Sequence, residues 1–302
     1  MSRLFSFLPL LFMLLFFSAC HHKETSIKHN LPSDCEYYSL RSAQCQDLTQ
    51  MLKQLEPYKV IFIGDHHTQK DLHQNVAKLI TALSKTGVKV HLANEWFYPS
   101  DTKALNAYVS KDINETEFIK QVQWEKRLKY YPYDSFKPMY QAIVNSQGYL
   151  HGINLTKEER KKISDQNLSA MTTGERHFND TLDLNVSAHQ NMVSPFLSHC
   201  HAPKKDESLE ACKKRMYRVQ VAWDSKMAEE AYDLSLRLSE NEKLIVFAGA
   251  MHIENSLGIP LRFARLSNLP TTNVIPVEET SKSIQHSTGD YLLFYKNIEA
   301  KD

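Results

Sequence analysis

The chain has 302 residues, a net charge of +1, 42% hydrophobic residues and only eight glycines. That length predicts one large domain, or a domain with an inserted lobe, around a substantial core. The near-neutral balance gives no basic footprint for nucleic acid, and the scarcity of glycine excludes a Gly-rich phosphate loop or a dinucleotide fingerprint.

Arg3 precedes a mainly apolar run from Leu4 to Phe17, and Ser18-Ala19-Cys20 follows. A charged start, an apolar stretch and small residues are the order of an export signal, here residues 1–19. Ser6 and Pro9 punctuate the run, and it is shorter than the about 20 apolar residues that span a bilayer. Small-small-Cys resembles a bacterial lipobox, with Phe17 where leucine is usual. On this reading Cys20 becomes the first residue of a membrane lipoprotein of the cell envelope, bearing acyl chains such as palmitate. Residues 20–30 are then a polar tether and residues 31–302 the domain. The competing reading is a short uncleaved anchor with an incidental cysteine. An exported chain can keep disulfides. Cys35, Cys45, Cys200 and Cys212 allow three connectivities. Pairing Cys35 with Cys45 and Cys200 with Cys212 closes two short loops, each worth about 3 kcal/mol through the unfolded state.

Leu48 to Leu55 has helical spacing. A strand is predicted over 58–63, a helix over 70–86 from Leu72, Val76, Leu79, Ile80 and Leu83, and a second strand over 88–93. This strand–helix–strand unit implies a right-handed crossover between parallel strands. Trp96-Phe97-Tyr98-Pro99 forms a bulky aromatic lip after the second strand. Helices follow near 101–109 and 115–128. After the aromatic loop Tyr130-Tyr131-Pro132-Tyr133 another helix runs to about Asn145. A third strand spans 149–154, and Thr156 can cap the next helix. Residues 156–240 show no strand pattern and are predicted to be an inserted helical lobe, its longest helix over 213–239. Strands resume at 244–248, 273–277 and 290–296, the last as an edge strand. The fold class is therefore α/β, a mainly parallel sheet flanked by helices, with an inserted helical lobe.

Two stretches share one form. Val60-Ile61-Phe62-Ile63-Gly64-Asp65-His66-His67 and Leu244-Ile245-Val246-Phe247-Ala248-Gly249-Ala250-Met251-His252 are apolar runs broken by glycine, with a histidine three residues later. Val88 to Ala93 likewise delivers Glu95. Parallel strands would carry Asp65, His67, Glu95 and His252 to one carboxyl edge, where open α/β sheets bind ligands. Such a set suits a divalent metal or acid–base work, and equally a polar network that only caps the strands. His66 is expected beside this set or at the surface. The absence of G-x-S-x-G disfavours a serine hydrolase.

The Gly-acid-x-His of Gly64 to His67, the strand-end Glu95 and the Gly-x-x-His of Gly249 to His252 resemble the ChaN-type haem-binding lipoproteins. These share a superfamily with Tiki, TraB and erythromycin-esterase proteins. Gly258-Ile259-Pro260, Gln220-x-x-Trp223-Asp224-x-x-Met227-Ala228, Tyr131-Pro132-Tyr133 and Lys137-Pro138 extend the resemblance from about residue 58 to 277. Asp65 stands where that superfamily usually has glutamate. The resemblance implies an exported, lipid-anchored haem-binding protein serving haem and iron acquisition. It further implies haem as ligand and an outer-membrane haem receptor as partner; a single tyrosine ligand would leave one haem face open, which a homodimer could cover. The alternative it carries is a metal-dependent hydrolase of the Tiki or erythromycin-esterase type using Asp65, His67, Glu95 and His252. A non-catalytic structural lipoprotein is a third reading. The lobe's His177, His189, His199, His201, Met192, Met216 and Tyr217 are then candidates to line a haem pocket. Tyr217 leads as axial ligand to the iron, ahead of His189 and His177, because a hard anionic oxygen suits ferric iron. No C-x-x-C-H exists, so covalent attachment is excluded. Lys204, Lys205, Lys213 and Lys214 form a solvated face, one of which could pair with a propionate. Gln220, Trp223 and Asp224 are expected to pin the long helix to the core.

Overall fold

The computed structural model describes residues 28–297 apart from 33, 201, 202, 282 and 286–288. The expected export signal, Cys20, most of the tether and His201 lie outside the described residues. The strands in chain order are β1 (Lys28–Asn30), β2 (Tyr37–Ser39), β3 (Gln44–Gln46), β4 (Val60–Asp65), β5 (Lys89–Asn94), β6 (Tyr149–Gly152), β7 (Glu242–Gly249), β8 (Thr271–Glu278), β9 (Ser283–Gln285) and β10 (Tyr291–Tyr295). The helices that frame them begin with α1 (Leu48–Leu55), α2 (Lys70–Lys85), α3 (Thr102–Val109), α4 (Glu115–Gln121), α5 (Trp124–Arg127) and α6 (Tyr133–Asn145). Between β6 and β7 come α7 (Lys157–Asp165), α8 (Thr173–Thr181), α9 (Ser187–Leu197) and α10 (Leu209–Ser235), and α11 (Ile259–Ala264) follows β7. Among the described residues no helix is long and apolar enough to cross a membrane.

The main sheet has the order β3-β2-β10-β8-β4-β7-β5-β6. Every neighbouring pair from β10 to β6 is parallel, and β2 joins antiparallel to β10 and β3. β1 and β9 form a separate antiparallel ribbon. β4 is central and buried on both faces, which explains its continuous apolar run. Ile61 and Ile63 face the layer of α1, α2 and α6, whereas Val60 and Phe62 face that of α10 and α11. Fully burying each of these side chains contributes about 1.5–3 kcal/mol. Gly64 lets the end of this strand be overlaid closely: a Cβ there would lie 2.7 Å from Pro276 Cδ and 3.1 Å from Ala250 Cα.

The helix over 48–55 stands as expected, started by the Asp47–Gln50 capping box. Two expectations change. Tyr291–Tyr295 is an interior strand, between β2 and β8. It is covered on its outer side because Tyr37–Ser39 forms a strand that was not anticipated. β2 and β3 are three residues each, too short for an alternating pattern to declare itself, and the Cys35–Cys45 disulfide ties this hairpin. Cys200 and Cys212 form the second disulfide, so both pairs are the local ones. The long helix starts earlier than predicted, because Ser208 caps it by accepting from the Ala211 N–H at 3.2 Å.

Candidate functional site: a cleft at the carboxyl edge of the sheet

β7 lies between β4 and β5, so the chain ends of all three strands meet at one edge. The chain leaves β4 toward β5 on one side and leaves β7 toward β8 on the other, which makes this edge the switch point of the sheet. Asp65 ends β4, Glu95 follows β5, and His252 sits in the 3-10 turn after β7. The structure therefore brings Asp65, His67, Glu95 and His252 together, as the strand pattern predicts.

Their contacts form an alternating line of acid and imidazole. His67 Nδ1 donates to Asp65 Oδ2 at 2.9 Å, and its Nε2 is 3.7 Å from Glu95 Oε1. His252 Nε2 is 3.8 Å from Glu95 Oε2, and its Nδ1 donates to Asp224 Oδ1 at 2.5 Å. Glu95 Oε2 also accepts the Gly249 N–H at 3.0 Å. Gly249 must be small: a Cβ there would stand 2.9 Å from His67 Cε1. Each terminal aspartate is buried and held from behind. Asp65 Oδ1 accepts from His73 Nε2 at 2.7 Å, while His73 Nδ1 faces the Ser135 carbonyl at 2.9 Å. Asp224 Oδ2 has Arg262 Nη1 at 3.6 Å and His189 Nε2 at 3.1 Å, the latter off the hydrogen-bond axis.

The charges follow from this order. Burial alone would raise the Asp65 carboxyl, but His73 and His67 overcome it and hold the group below the usual carboxylate range. Burial opposes ionisation of Asp224 too, yet His252, His189 and Arg262 bring it down to about 2. Burial disfavours charge on His67 and His252, but their carboxylate partners outweigh it and raise both imidazoles. Protons can be held and exchanged along this line. It is not drawn together like a single ion's coordination shell. Among the described residues the one group of three His, Cys, Asp or Glu donors within 4.8 Å of one another is Cys200, Glu207 and Cys212, whose sulfurs are joined.

His67, Glu95 and His252 of this line face a cleft of about 390 Å³, with Asp65 and Asp224 buried behind them. Trp96, Tyr131 and Trp223 give it aromatic walls, with Leu128, Leu155 and Met251 beside them. Trp96 and Tyr131 also pack against His67, with ring centroids 4.6 and 5.3 Å away. Arg127, Lys157 and Arg160 stand at its rim. A larger groove, about 830 Å³, runs along β6 and contains none of the expected site residues.

The expected iron donors of the lobe lie elsewhere. Tyr217 is buried on α10 with Val193 and Val221, and its hydroxyl is 3.3 Å from His189 Nδ1 and donates to the Val186 carbonyl at 3.4 Å. Burial pushes this hydroxyl up in pKa. His189 is fully buried against Asp224, and His177 and His199 are exposed. None of Tyr217, His189 and His177 lines the cleft. Lys204 pairs with Asp165 at 2.6 Å and Lys213 with Glu210 at 2.9 Å, away from it. His66 meets the Tyr295 hydroxyl at 2.8 Å.

Sequence reasoning missed His73 and Arg262, and it assigned Asp224 to packing alone. A signal existed for two of these. His73 shares the face of Leu72, Val76 and Leu79, and Asp224 shares that of Met227 and Ala228. A charged or titratable residue on an apolar helix face needs a buried partner.

A profile of the family described as haem-binding uptake, Tiki superfamily, ChaN matches residues 51–263. The chain belongs to this ChaN family. No curated protein matches the sequence. Among solved structures the fold is similar to that of ChaN of Campylobacter jejuni, described with cofacial haem binding. The TM-score is 0.66 with 19% identity, over 86% of this chain and 96% of that one. The type III effector HopBA1 is similar at a TM-score of 0.45 and 14% identity, over 82% of this chain and 93% of that one. A mutant of the erythromycin esterase EreC in its open conformation is similar at 0.46 and 12%, over 80% and 77%.

Proposed function

We propose that this chain binds haem in the cleft at the carboxyl edge of the sheet and serves haem or iron uptake. Family membership over residues 51–263 supports haem as the ligand. The observation that carries the choice of cleft is its composition: four aromatic side chains in its lining, an open rim and a hydroxyl that makes no hydrogen bond among the described residues, that of Tyr131. A flat apolar macrocycle suits aromatic walls, and about 390 Å³ lies in the range of small-molecule sites. Haem iron accepts His, Cys, Met or Tyr donors. His67 and His252 are tied to carboxylates through Nδ1 and tend to be protonated, which makes them poor iron donors. Tyr131 is the better one, its anionic oxygen matching ferric iron. Burial, Glu95 and Asp65 push its hydroxyl up, so the iron itself must draw off the proton. On this reading Tyr217, His189 and His177 organise the lobe instead of binding iron.

Haemin titration of the soluble domain, followed in the Soret region, tests the reading. Tyr131→Phe is expected to weaken binding and change the ferric spectrum, while Tyr217→Phe leaves both unchanged. The reverse result moves the iron to the lobe. We further propose an envelope lipoprotein anchored through Cys20, acting with an outer-membrane haem receptor, and a homodimer that covers the second haem face. Acyl chains contribute about 0.8 kcal/mol per buried methylene, so two or more hold a protein on a membrane. Cys20→Ser should lose detergent partitioning, and haem-dependent sedimentation reads the dimer.

A further inference from the structure

We infer that Lys157 and Arg160 are the carboxylate anchors of this cleft and set which way round its ligand binds. The inference rests on the haem reading above. Three cations border the cleft, and only two are available. Arg127 is committed: its Nη1 donates to both Asp101 oxygens at 3.0 and 2.9 Å, its Nη2 donates to the Trp96 carbonyl at 3.0 Å, and its guanidinium stacks 3.8 Å from the Tyr98 ring. It holds the aromatic lip in place. Lys157 and Arg160, by contrast, have no carboxylate or carbonyl partner among the described residues.

The helix α7 fixes where both side chains start, although their charges are not paired. Both lie in the first turns of α7, three residues apart, so they project from one face of the helix. The Thr156–Glu159 capping box anchors the start of that helix. Glu159, the carboxylate between them, is turned away into the cap, with its Oε2 accepting from the Thr156 N–H at 2.7 Å. Glu158, the other carboxylate between them, reaches forward to Lys162 at 3.5 Å. The Arg160 guanidinium lies 5.5 Å from the Trp223 ring centroid, within the about 6 Å reach of a cation–π contact. The indole thus steadies the cation beside an aromatic wall of the cleft.

The floor is the opposite in character. Of the line only His67, Glu95 and His252 reach the cleft surface, and both imidazoles are already committed to Asp65 and Asp224 behind them. A ligand carboxylate brought there would meet Glu95 and imidazoles whose Nδ1 donors are already taken by Asp65 and Asp224, with no uncommitted cation to receive it. A ligand with an apolar body and one acidic edge is therefore directed with that edge outward to α7 and the body against Trp96, Tyr131 and Trp223. Haem has that polarity, with both propionates on one edge. Arg can grip a carboxylate with two parallel N–H donors, and Lys supplies a point charge beside it.

The test compares three porphyrins on the full soluble domain: haemin, iron-free protoporphyrin IX, and haemin dimethyl ester, which lacks the acidic edge. The wild-type protein should bind haemin about tenfold more tightly than the ester, with an affinity that falls as salt rises. In Lys157→Gln/Arg160→Gln the preference should vanish, and haemin and protoporphyrin should weaken by the same factor. Neither side chain carries a structural contact to another charged group, so the variant should keep the wild-type circular dichroism. Equal affinity of the wild type for haemin and its ester would overturn the assignment and leave haem binding standing. A variant that weakens haemin but not protoporphyrin would overturn it as well, since the effect would then run through the iron. If none of the three porphyrins binds the wild type, the haem reading fails first, and this inference with it.

Discussion

Asp224 is the residue whose removal tests the most of this account. It is fully buried and meets three partners, with His252 at 2.5 Å, His189 at 3.1 Å and Arg262 at 3.6 Å. Replacing it by asparagine keeps the shape and removes the charge. Its carboxyl stands at about 2, against an ordinary 3.8, which converts to about 2 kcal/mol of stability at neutral pH. Asp224→Ala also removes the carboxylate that His252 holds at 2.5 Å and should cost about 3–5 kcal/mol, the usual penalty for breaking a buried pair. Urea unfolding at pH 7 reads both values. The sign with pH is set by the depressed carboxyl. Its contribution is complete above pH 3.8 and is lost as pH falls through about 2, so wild type and Asp224→Asn should converge in acid. A second readout separates electrostatics from packing. His252 is raised by Asp224 against its own burial, so in Asp224→Asn the imidazole should titrate lower, as followed by NMR. A stability difference under about 0.5 kcal/mol at pH 7, or an unmoved His252, would refute the reasoning.

Further outcomes follow from the same structure. His73→Phe removes the donor behind Asp65 and should destabilise by about 1–3 kcal/mol, with the His67 imidazole shifting in NMR titration because its carboxylate partner is no longer held. Gly249→Ala should displace His67 and weaken haemin binding with little change in the far-ultraviolet spectrum, since the new methyl meets the imidazole at 2.9 Å. NMR should find His151 titrating at about 4, depressed by burial and by His91 and Arg237. Its contribution to stability is then full above pH 6.5 and lost as pH falls toward 4. Reducing the Cys35–Cys45 and Cys200–Cys212 bridges should lower the melting temperature, each contributing about 2–4 kcal/mol; an unchanged melting curve in excess dithiol would contradict that.

The residues by themselves determined a large part of this protein. The apolar runs at 60–63 and 244–248, with the predicted strand over 88–93, read as buried strands. Their shared ending in glycine and polar residues placed Asp65, His67, Glu95 and His252 at one edge, because parallel strands present their carboxyl ends together. The helix over 48–55 and the strand-free stretch from 156 to 240 were equally legible, since helical periodicity survives without knowledge of the partner. Local loop closure was enough to pair the cysteines. Tertiary structure decided the rest. β10 became an interior strand only because a three-residue segment from the far end of the chain paired with it. Tyr217, attractive as an iron donor on one helix, is covered by α9 and shares its hydroxyl with His189. Asp224, which looked like packing on α10, is the partner of a histidine 28 residues away in sequence. Lys157 and Arg160 border the cleft only because the fold brings α7 to it, with Trp223 beside Arg160. The physical reason is the same in each case. Period and composition report which face of an element is buried, but a buried charge is defined by its counter-charge, and that partner comes from another element.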